Sequence, residues 1–149
     1  MTNNKEIKEI FEFALQNHNK NNLKVAEEFY KKVLKIDQNH FKTIFLLGSL
    51  SGQIKKFDIA KQLLEKAVQI QPNFIDAHVN LGVVFDELGF FEKALNCYKK
   101  VIQIQPNHAH AYYNQGNVLK KLNKPEEAIK CYQRAIQIEP KYADAHNNI

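Results

Sequence analysis

Small and apolar residues recur along this chain of 149 residues with a period of 34. Pro72, Pro106 and Pro140 keep that spacing. The same interval separates two series of small residues, which are Gly48, Gly82 and Gly116, and Ala26, Ala60, Ala94 and Ala128. Within each period, apolar residues three or four positions apart predict two amphipathic helices. In the third period we expect these helices over about 75–88 and 91–104, with a turn at Gly89 between them.

The period divides the chain into four repeats, 7–40, 41–74, 75–108 and 109–142, and a partial repeat over 143–149. The last two full repeats are identical at 13 of 34 positions without a gap. One helix pair cannot bury its apolar faces alone, so neighbouring pairs are expected to stack into a continuous core. The sequence therefore predicts a single all-α domain over 1–149, a right-handed solenoid of four helix pairs plus the start of a fifth.

Two local signals predict where helices begin. Asparagines follow the proline position or its equivalent in three repeats, where a side-chain oxygen can cap the next helix; these residues are Asn39, Asn73 and Asn107. Pro125, followed by Glu126 and Glu127, predicts a helix start with acidic side chains in the first turn.

The anchor residues resemble the tetratricopeptide repeat. That family pattern places a large residue before a Leu-Gly pair, followed by aromatic residues, small residues and a final proline. The third repeat carries it as His78, Leu81, Gly82, Phe85, Gly89, Phe91, Ala94, Tyr98, Val101 and Pro106. The resemblance covers residues 7–149. It implies a right-handed superhelix (α-solenoid) of helix–turn–helix repeats that binds another protein.

A narrower likeness concerns the residue before the Leu-Gly pair. Asn80, Asn114 and Asn148 fall on this position, and their surroundings resemble the repeats of protein O-linked N-acetylglucosamine transferases. In those proteins the stacked asparagines form a ladder that holds an extended peptide by its backbone. Glu12 and Leu46 interrupt the ladder here. The same repeat type is attached to other bacterial enzymes and also stands alone, so the link to a transferase stays open.

Helix periodicity separates the core side of each first helix from its other side. Leu81, Gly82 and Phe85 share the side that faces the partner helix, and the opposite side is expected to line the concave groove of the solenoid. The peptide-binding residues that we predict are Phe11, Lys42, Phe45, Asp76, Val79, Asn80, Val83, Tyr113, Asn114, Asn117, Lys121 and Asn148. The alternative for the asparagines is a solvated helix face, and for the phenylalanines packing between repeats.

The composition changes this picture little. The net charge is +5, but the basic residues are 20 Lys and one Arg. Because Arg is preferred for bidentate recognition of phosphates and bases, we expect no nucleic-acid role. No apolar run approaches the ~18 residues of a membrane span, and we expect a cytoplasmic protein without a secretory signal or membrane contact.

The residues that could suggest chemistry have simpler explanations. Cys97 and Cys131 occupy the same position of adjacent repeats, on helices too far apart for a disulfide. The six His are not grouped at metal-ligand spacing, and acids such as Asp86 and Glu87 are expected to be solvated or to cap helices. We therefore predict no metal, no cofactor and no catalytic residue.

These features predict a non-enzymatic scaffold for protein–protein interaction that binds an extended peptide or a partner helix in its groove. One alternative is the N-terminal substrate-targeting arm of a larger enzyme such as a glycosyltransferase. Another is an RNA-binding helical repeat.

The partial fifth repeat stops one residue before its expected glycine, so the natural chain is expected to continue or a partner to complete it. The uncovered residues that we expect are Ile129, Tyr132, Ile136 and Ile138. Such an apolar end favours end-to-end self-association through the C-terminal repeat.

Overall fold

The computed structural model describes residues 2–149, with side chains from Asn4 onward. Over these residues the chain consists of α-helices joined by short turns, and it contains no strand. It forms two compact units. We call the part that ends at Pro72 the N-terminal unit and the part Asn73–Ile149 the C-terminal unit. The all-α class predicted from the 34-residue period is confirmed.

The N-terminal unit contains two helix pairs. They are α1 (Thr2–Asn19) with α2 (Leu23–Ile36), and α3 (Phe41–Gln53) with α4 (Phe57–Ile70). α1 begins ahead of residue 7, where the period starts, because the polar stretch before it also suits a helix. Lys5 lies 3.9 Å from Glu9, and Lys8 lies 3.9 Å from Glu12, and such i,i+4 pairs support a helix. One buried cluster of this unit contains Ala14, Ala26, Tyr30, Leu47 and Leu50.

The C-terminal unit contains two helix pairs and a short fifth helix. They are α5 (Ile75–Glu87) with α6 (Phe91–Ile104), α7 (Ala109–Lys121) with α8 (Pro125–Ile138), and α9 (Ala143–Asn147). The helices predicted over 75–88 and 91–104 are therefore confirmed as α5 and α6, to within one residue. The start of α8 at Pro125, with Glu126 and Glu127 in its first turn, is confirmed as well.

Small residues allow the two helices of a pair to approach closely. A Cβ atom added at Gly82 would lie 2.6 Å from Cε1 of Tyr98. Ala94, which we expected at the same crossing, is fully buried. This alternation of large and small side chains agrees with the packing expected from the sequence.

The turn inside each pair repeats every 34 residues. The residues with positive φ are Asn21 (61°), Lys55 (59°), Gly89 (76°) and Asn123 (58°). After Gly89, the backbone N–H of Phe90 donates to the carbonyl of Phe85 at 2.8 Å. A residue in the left-handed conformation, followed by a hydrogen bond that spans five residues, is the Schellman motif at the end of a helix. It redirects the chain into the second helix of the pair.

The predicted asparagine caps are wrong by one residue. The N-caps of α3, α5 and α7 are His40, Phe74 and His108. Asn107 instead follows Pro106 inside a turn closed by the amide of His108, which donates to the carbonyl of Gln105 at 3.2 Å. Proline and asparagine suit the two central positions of such a turn. The cap of α7 is formed by His108 Nδ1, which accepts a bond from the Ala111 amide at 3.1 Å.

α9 covers part of α8. Tyr142 is 9% exposed and Ala145 is fully buried, and both join the cluster that contains Tyr132 and Ala135. Tyr132, which we expected to be partly uncovered, is therefore buried at 1% exposure. The other three residues of that expectation are half-buried; they are Ile129, Ile136 and Ile138.

Candidate functional site

Nine of the twelve predicted groove residues lie in the C-terminal unit, on α5, on α7 and directly after α9. Asp76, Val83 and Lys121 are exposed. The half-buried ones are Val79, Asn80, Tyr113, Asn114, Asn117 and Asn148. A side chain must keep some contact with solvent to reach a ligand, and all nine meet that condition. We call this set the amide face, after its four asparagines.

Part of the amide face borders a polar depression of about 410 Å³. Its lining residues are Asp86, Asn117, Lys120, Lys121 and Asn148. We call this depression the polar cleft. It brings together three residues predicted from the sequence, Asn117, Lys121 and Asn148. Lys120 and Asp86 also line it, and neither was predicted as a site residue.

Asp86 is not the solvated acid that we expected. Its side chain is only 17% exposed, and both of its carboxylate oxygens accept hydrogen bonds from Lys121 Nζ at 2.8 Å. The pair joins the end of α5 to the end of α7. The two residues are 35 positions apart in the sequence, one period plus one residue, and this near-repeat spacing was the available signal for their contact.

Tyrosine hydroxyls hold two of the amides in place. The hydroxyl of Tyr132 donates to Oδ1 of Asn117 at 2.9 Å. Nδ2 of Asn148 donates to the hydroxyl of Tyr113 at 3.4 Å. Burial raises the pKa of Tyr132, with a further contribution from Tyr113. The Tyr132 hydroxyl therefore keeps its proton at neutral pH and serves as a donor.

Tyr113 belongs to the packing as much as to the amide face. Its ring centroid lies 5.8 Å from that of Tyr132 and 5.1 Å from that of Tyr142. Burial raises the pKa of Tyr142 to about 12. The rings form a tilted aromatic cluster, an arrangement that adds to the stability gained from burial alone. Two members of this cluster, Tyr113 and Tyr132, are bonded to Asn148 and Asn117, which line the polar cleft.

The other three predicted residues lie in the N-terminal unit. Phe11 is half-buried, with its ring 6.1 Å from Tyr30 and 5.3 Å from His40. Phe45 is also half-buried, and Lys42 is exposed. Phe11 thus contacts the core of its own unit and keeps one side accessible, so both of its predicted roles remain compatible with its position.

The described residues contain no group of three or more His, Cys, Asp or Glu side chains that could hold a metal ion. No disulfide joins Cys97 and Cys131. Burial raises the pKa of the Cys131 thiol, with the Glu127 charge as a second cause. His110 stacks on Tyr142, with ring centroids 4.9 Å apart.

The repeats match known family descriptions. The tetratricopeptide repeat matches residues 14–40, 41–74 and 109–142, and the TPR repeat matches residues 87–123. The chain belongs to the tetratricopeptide repeat family, and its fold is the all-α fold of that family. Among curated proteins, no sequence matches this chain.

Several solved structures share this fold, and they are structures of MamA. One MamA protein is 26% identical over 96% of this chain and 78% of that chain, with a TM-score of 0.91. A second MamA structure is 27% identical over 91% of this chain and 80% of that chain, with a TM-score of 0.88. MamA from Desulfovibrio magneticus RS-1, beginning at its residue 41, is 20% identical over 91% and 77% of the two chains. Its TM-score is 0.87, and at that identity the likeness shows the fold alone.

The family and these structural neighbours define the chain as a protein-interaction scaffold module. No helix among the described residues is long and apolar enough to span a bilayer. The comparisons do not support the two alternatives, a targeting arm of a larger enzyme and an RNA-binding repeat. The likeness to O-linked N-acetylglucosamine transferases stays a prediction.

Proposed function

We propose that the C-terminal unit binds an extended peptide of a protein partner along its amide face, without catalysing a reaction. The observation that carries this proposal is the recurrence of one amide at one position of three consecutive repeats. Asn80, Asn114 and Asn148 are separated by 34 residues each, and all three are half-buried.

The amides suit the backbone of a peptide. An asparagine side chain both donates and accepts hydrogen bonds, as a peptide group does. Val79 and Val83 lie beside Asn80 on α5, and Val83 is 41% exposed. Apolar side chains next to amides offer contacts for alternate side chains of an extended peptide, while the amides bind its backbone.

The N-terminal unit presents a smaller set on α1 and α3. Phe11 and Phe45 are half-buried, and Lys42 is exposed. We propose that these residues form a second contact surface for the partner, more apolar than the amide face. A partial exposure of large aromatic rings favours binding, because such rings supply much of the energy of protein interfaces.

The test is a double variant, Asn80→Ala with Asn114→Ala. A peptide that binds the wild-type protein is first selected from an array of 15-residue peptides, each with capped ends. Each lost hydrogen bond to the peptide is worth about 0.5–1.5 kcal/mol, so the dissociation constant is expected to rise by roughly tenfold in total.

The matched control is Asn96→Ala with Gln133→Ala, which removes two exposed amides from α6 and α8. It is expected to leave the affinity unchanged. Circular dichroism checks that both variants keep their helices. Equal affinity of the wild-type protein and the Asn80/Asn114 variant would contradict the role of the amides.

Two further predictions accompany this proposal. The cytoplasmic location stays a prediction, and so does end-to-end self-association through the C-terminal repeat. Sedimentation over a concentration series tests the association, and a strictly monomeric protein at high concentration would contradict it.

A further inference from the structure

The polar cleft contains more hydrogen-bond donors than it uses. Oδ1 of Asn117 already accepts the Tyr132 hydroxyl, so the Nδ2 group of this amide is directed away from that contact. Lys121 makes two bonds to Asp86, and an ammonium group has three donors. Lys120 is exposed beside it. Three side chains therefore offer donors to the same depression.

The charges of the residues that line the polar cleft also indicate which kind of ligand it could bind. Two ammonium groups, on Lys120 and Lys121, face one carboxylate, that of Asp86. Within the described part of the chain, Lys120 makes no ion pair, and Asp86 is paired with Lys121 at 2.8 Å. Among the described residues, one of the two ammonium groups lining the cleft is therefore not paired with a carboxylate. A ligand group that fits here accepts hydrogen bonds and is negatively charged.

We propose that the polar cleft binds the carboxylate of an acidic side chain, Asp or Glu, inside the extended peptide held by the amide face. The proposal rests on the peptide-binding function proposed above and names the chemistry of one position of the partner. A carboxylate can accept bonds from both lysines and from Asn117 at once, and bonds between charged groups are the stronger kind. The depression of about 410 Å³ is large enough to admit such a side chain.

Asp86 has a defined part in this arrangement. It holds the Lys121 ammonium at the cleft, and it also competes with a bound carboxylate for that ammonium. Removing its charge is therefore expected to strengthen the binding of an acidic ligand. If the cleft instead selected a basic side chain, Asp86 would be the anchor, and removing its charge would weaken binding. The direction of this effect on an acidic probe therefore tests whether Asp86 competes with the bound carboxylate for Lys121.

The probe is a fluorescein-labelled peptide of six Glu-Ser units with an acetylated N-terminus and an amidated C-terminus. The comparison probe has Gln in place of Glu. A third probe has Gln and a free C-terminal carboxylate, which distinguishes a terminal carboxylate from a side-chain carboxylate. Fluorescence anisotropy gives the dissociation constants. The measurement is made at low salt, because salt screens and so weakens contacts between exposed charges.

Lys120→Gln with Lys121→Gln is expected to weaken binding of the Glu probe by about tenfold or more, since bonds to charged groups contribute most to such a contact. The matched control is Lys99→Gln with Lys130→Gln, which removes the same charge from exposed positions of α6 and α8. It is expected to have a much smaller effect. Asp86→Asn is expected to tighten binding several-fold, and Glu92→Gln on α6 to change it less. Thermal unfolding of each variant checks that it is folded.

Several outcomes would overturn the proposal. Equal losses in the two lysine pairs would show that only the overall charge attracts the probe. Weaker binding of the Glu probe to Asp86→Asn would contradict the predicted competition between Asp86 and a bound carboxylate, and equal binding of the third probe would assign the cleft to a chain end. If the Glu probe fails to bind while an array peptide still requires Asn80 and Asn114, the carboxylate site is wrong and the peptide-binding function stands.

Discussion

The two units place different side chains opposite the same glycine of the repeat. In the C-terminal unit, a Cβ atom added at Gly116 would lie 2.5 Å from Cε1 of Tyr132. In the N-terminal unit, a Cβ atom added at Gly48 would lie 3.0 Å from Cγ of Leu64. The overlap at Gly116 requires the Tyr132 ring to move, whereas the contacts at Gly48, which include Leu63 Cβ at 3.2 Å, are relieved by a shift of a few tenths of an ångström. The glycine of α7 is therefore required by the close approach of the Tyr132 ring, whereas the first repeat accommodates Ala14 with Tyr30 at the equivalent positions.

Gly116→Ala is expected to have the largest effect on stability. Overpacking a well-packed contact costs about 1–3 kcal/mol, and an alanine in a helix regains up to about 1 kcal/mol over glycine. We expect a net loss in the free energy of unfolding for Gly116→Ala and a change near zero for Gly48→Ala. Urea denaturation of both variants measures the difference. Equal losses would mean that the leucine is as rigidly held as the tyrosine.

The units also differ in how they pair a largely buried carboxylate. In the N-terminal unit, the Glu27 side chain is 12% exposed and accepts bonds from Lys31 at 2.6 Å and from Lys56 at 2.9 Å. In the C-terminal unit, Asp86 has one such partner, Lys121, and borders the polar cleft. Glu27 therefore joins α2 to the residue that precedes α4, and its two lysine partners leave its carboxylate few free acceptor positions for a ligand.

Glu27→Gln is expected to be the next largest change. Bonds to a charged group are worth more than neutral ones, but both lysines are about half exposed, so we expect a loss of about 1–2 kcal/mol. Glu28→Gln is the matched control, since Glu28 is 63% exposed and pairs with Lys32 across one helical turn. Its effect is expected to stay below about 0.5 kcal/mol. Chemical denaturation at pH 7 compares the two.

The effect of Glu27 depends on pH in a defined direction. Hydrogen bonds from Lys31 and then from Lys56 hold the pKa of Glu27 below its ordinary value of 4.5. A carboxylate whose pKa is lowered by folding stabilises the protein above that ordinary value, and the contribution is lost as the pH falls through the folded-state pKa. The difference between the wild-type protein and Glu27→Gln should therefore shrink below pH 4.5. A difference that grows on acidification would contradict this assignment.

Most of the fold could be predicted from the sequence, because the residues that pack one helix pair recur in each repeat. Helices α5 and α6 ended within one residue of their predicted bounds, since glycine, alanine and proline positions recur with them. The prediction of asparagine caps was wrong because asparagine is common both at helix caps and in turns. The proline before Asn107 favours the turn. A residue type that is common in two local structures cannot be assigned to one of them until its contacts in the folded protein are known.

The candidate site was predictable only in part. The exposed side of α5 and α7 follows from helical periodicity, so the amide face could be chosen from the sequence. The bond from Tyr132 to Asn117 and the pair of Lys121 with Asp86 join different helices. Whether such side chains reach each other depends on the distance and the crossing angle of their helices, and a single sequence does not contain these quantities.

The smallest effect that we predict compares the turns of the two units. Lys55 has a φ of 59° in the N-terminal unit, and Gly89 has a φ of 76° at the same position in the C-terminal unit. A side chain in this left-handed region costs roughly 1–2 kcal/mol, and the greater freedom of glycine in the unfolded chain offsets part of that cost. Lys55→Gly is therefore expected to stabilise the protein by about 0.5–1 kcal/mol.

Gly89→Ala is the reverse experiment. A Cβ atom added at Gly89 would have no atom within 4 Å, so any loss comes from the backbone alone. We expect a destabilisation of similar size, about 1 kcal/mol, measured by urea denaturation beside Lys55→Gly. Asn123→Gly should change stability less than Lys55→Gly, because asparagine tolerates the left-handed region better than lysine. A destabilised Lys55→Gly would mean that contacts of the lysine side chain outweigh the strain in its backbone.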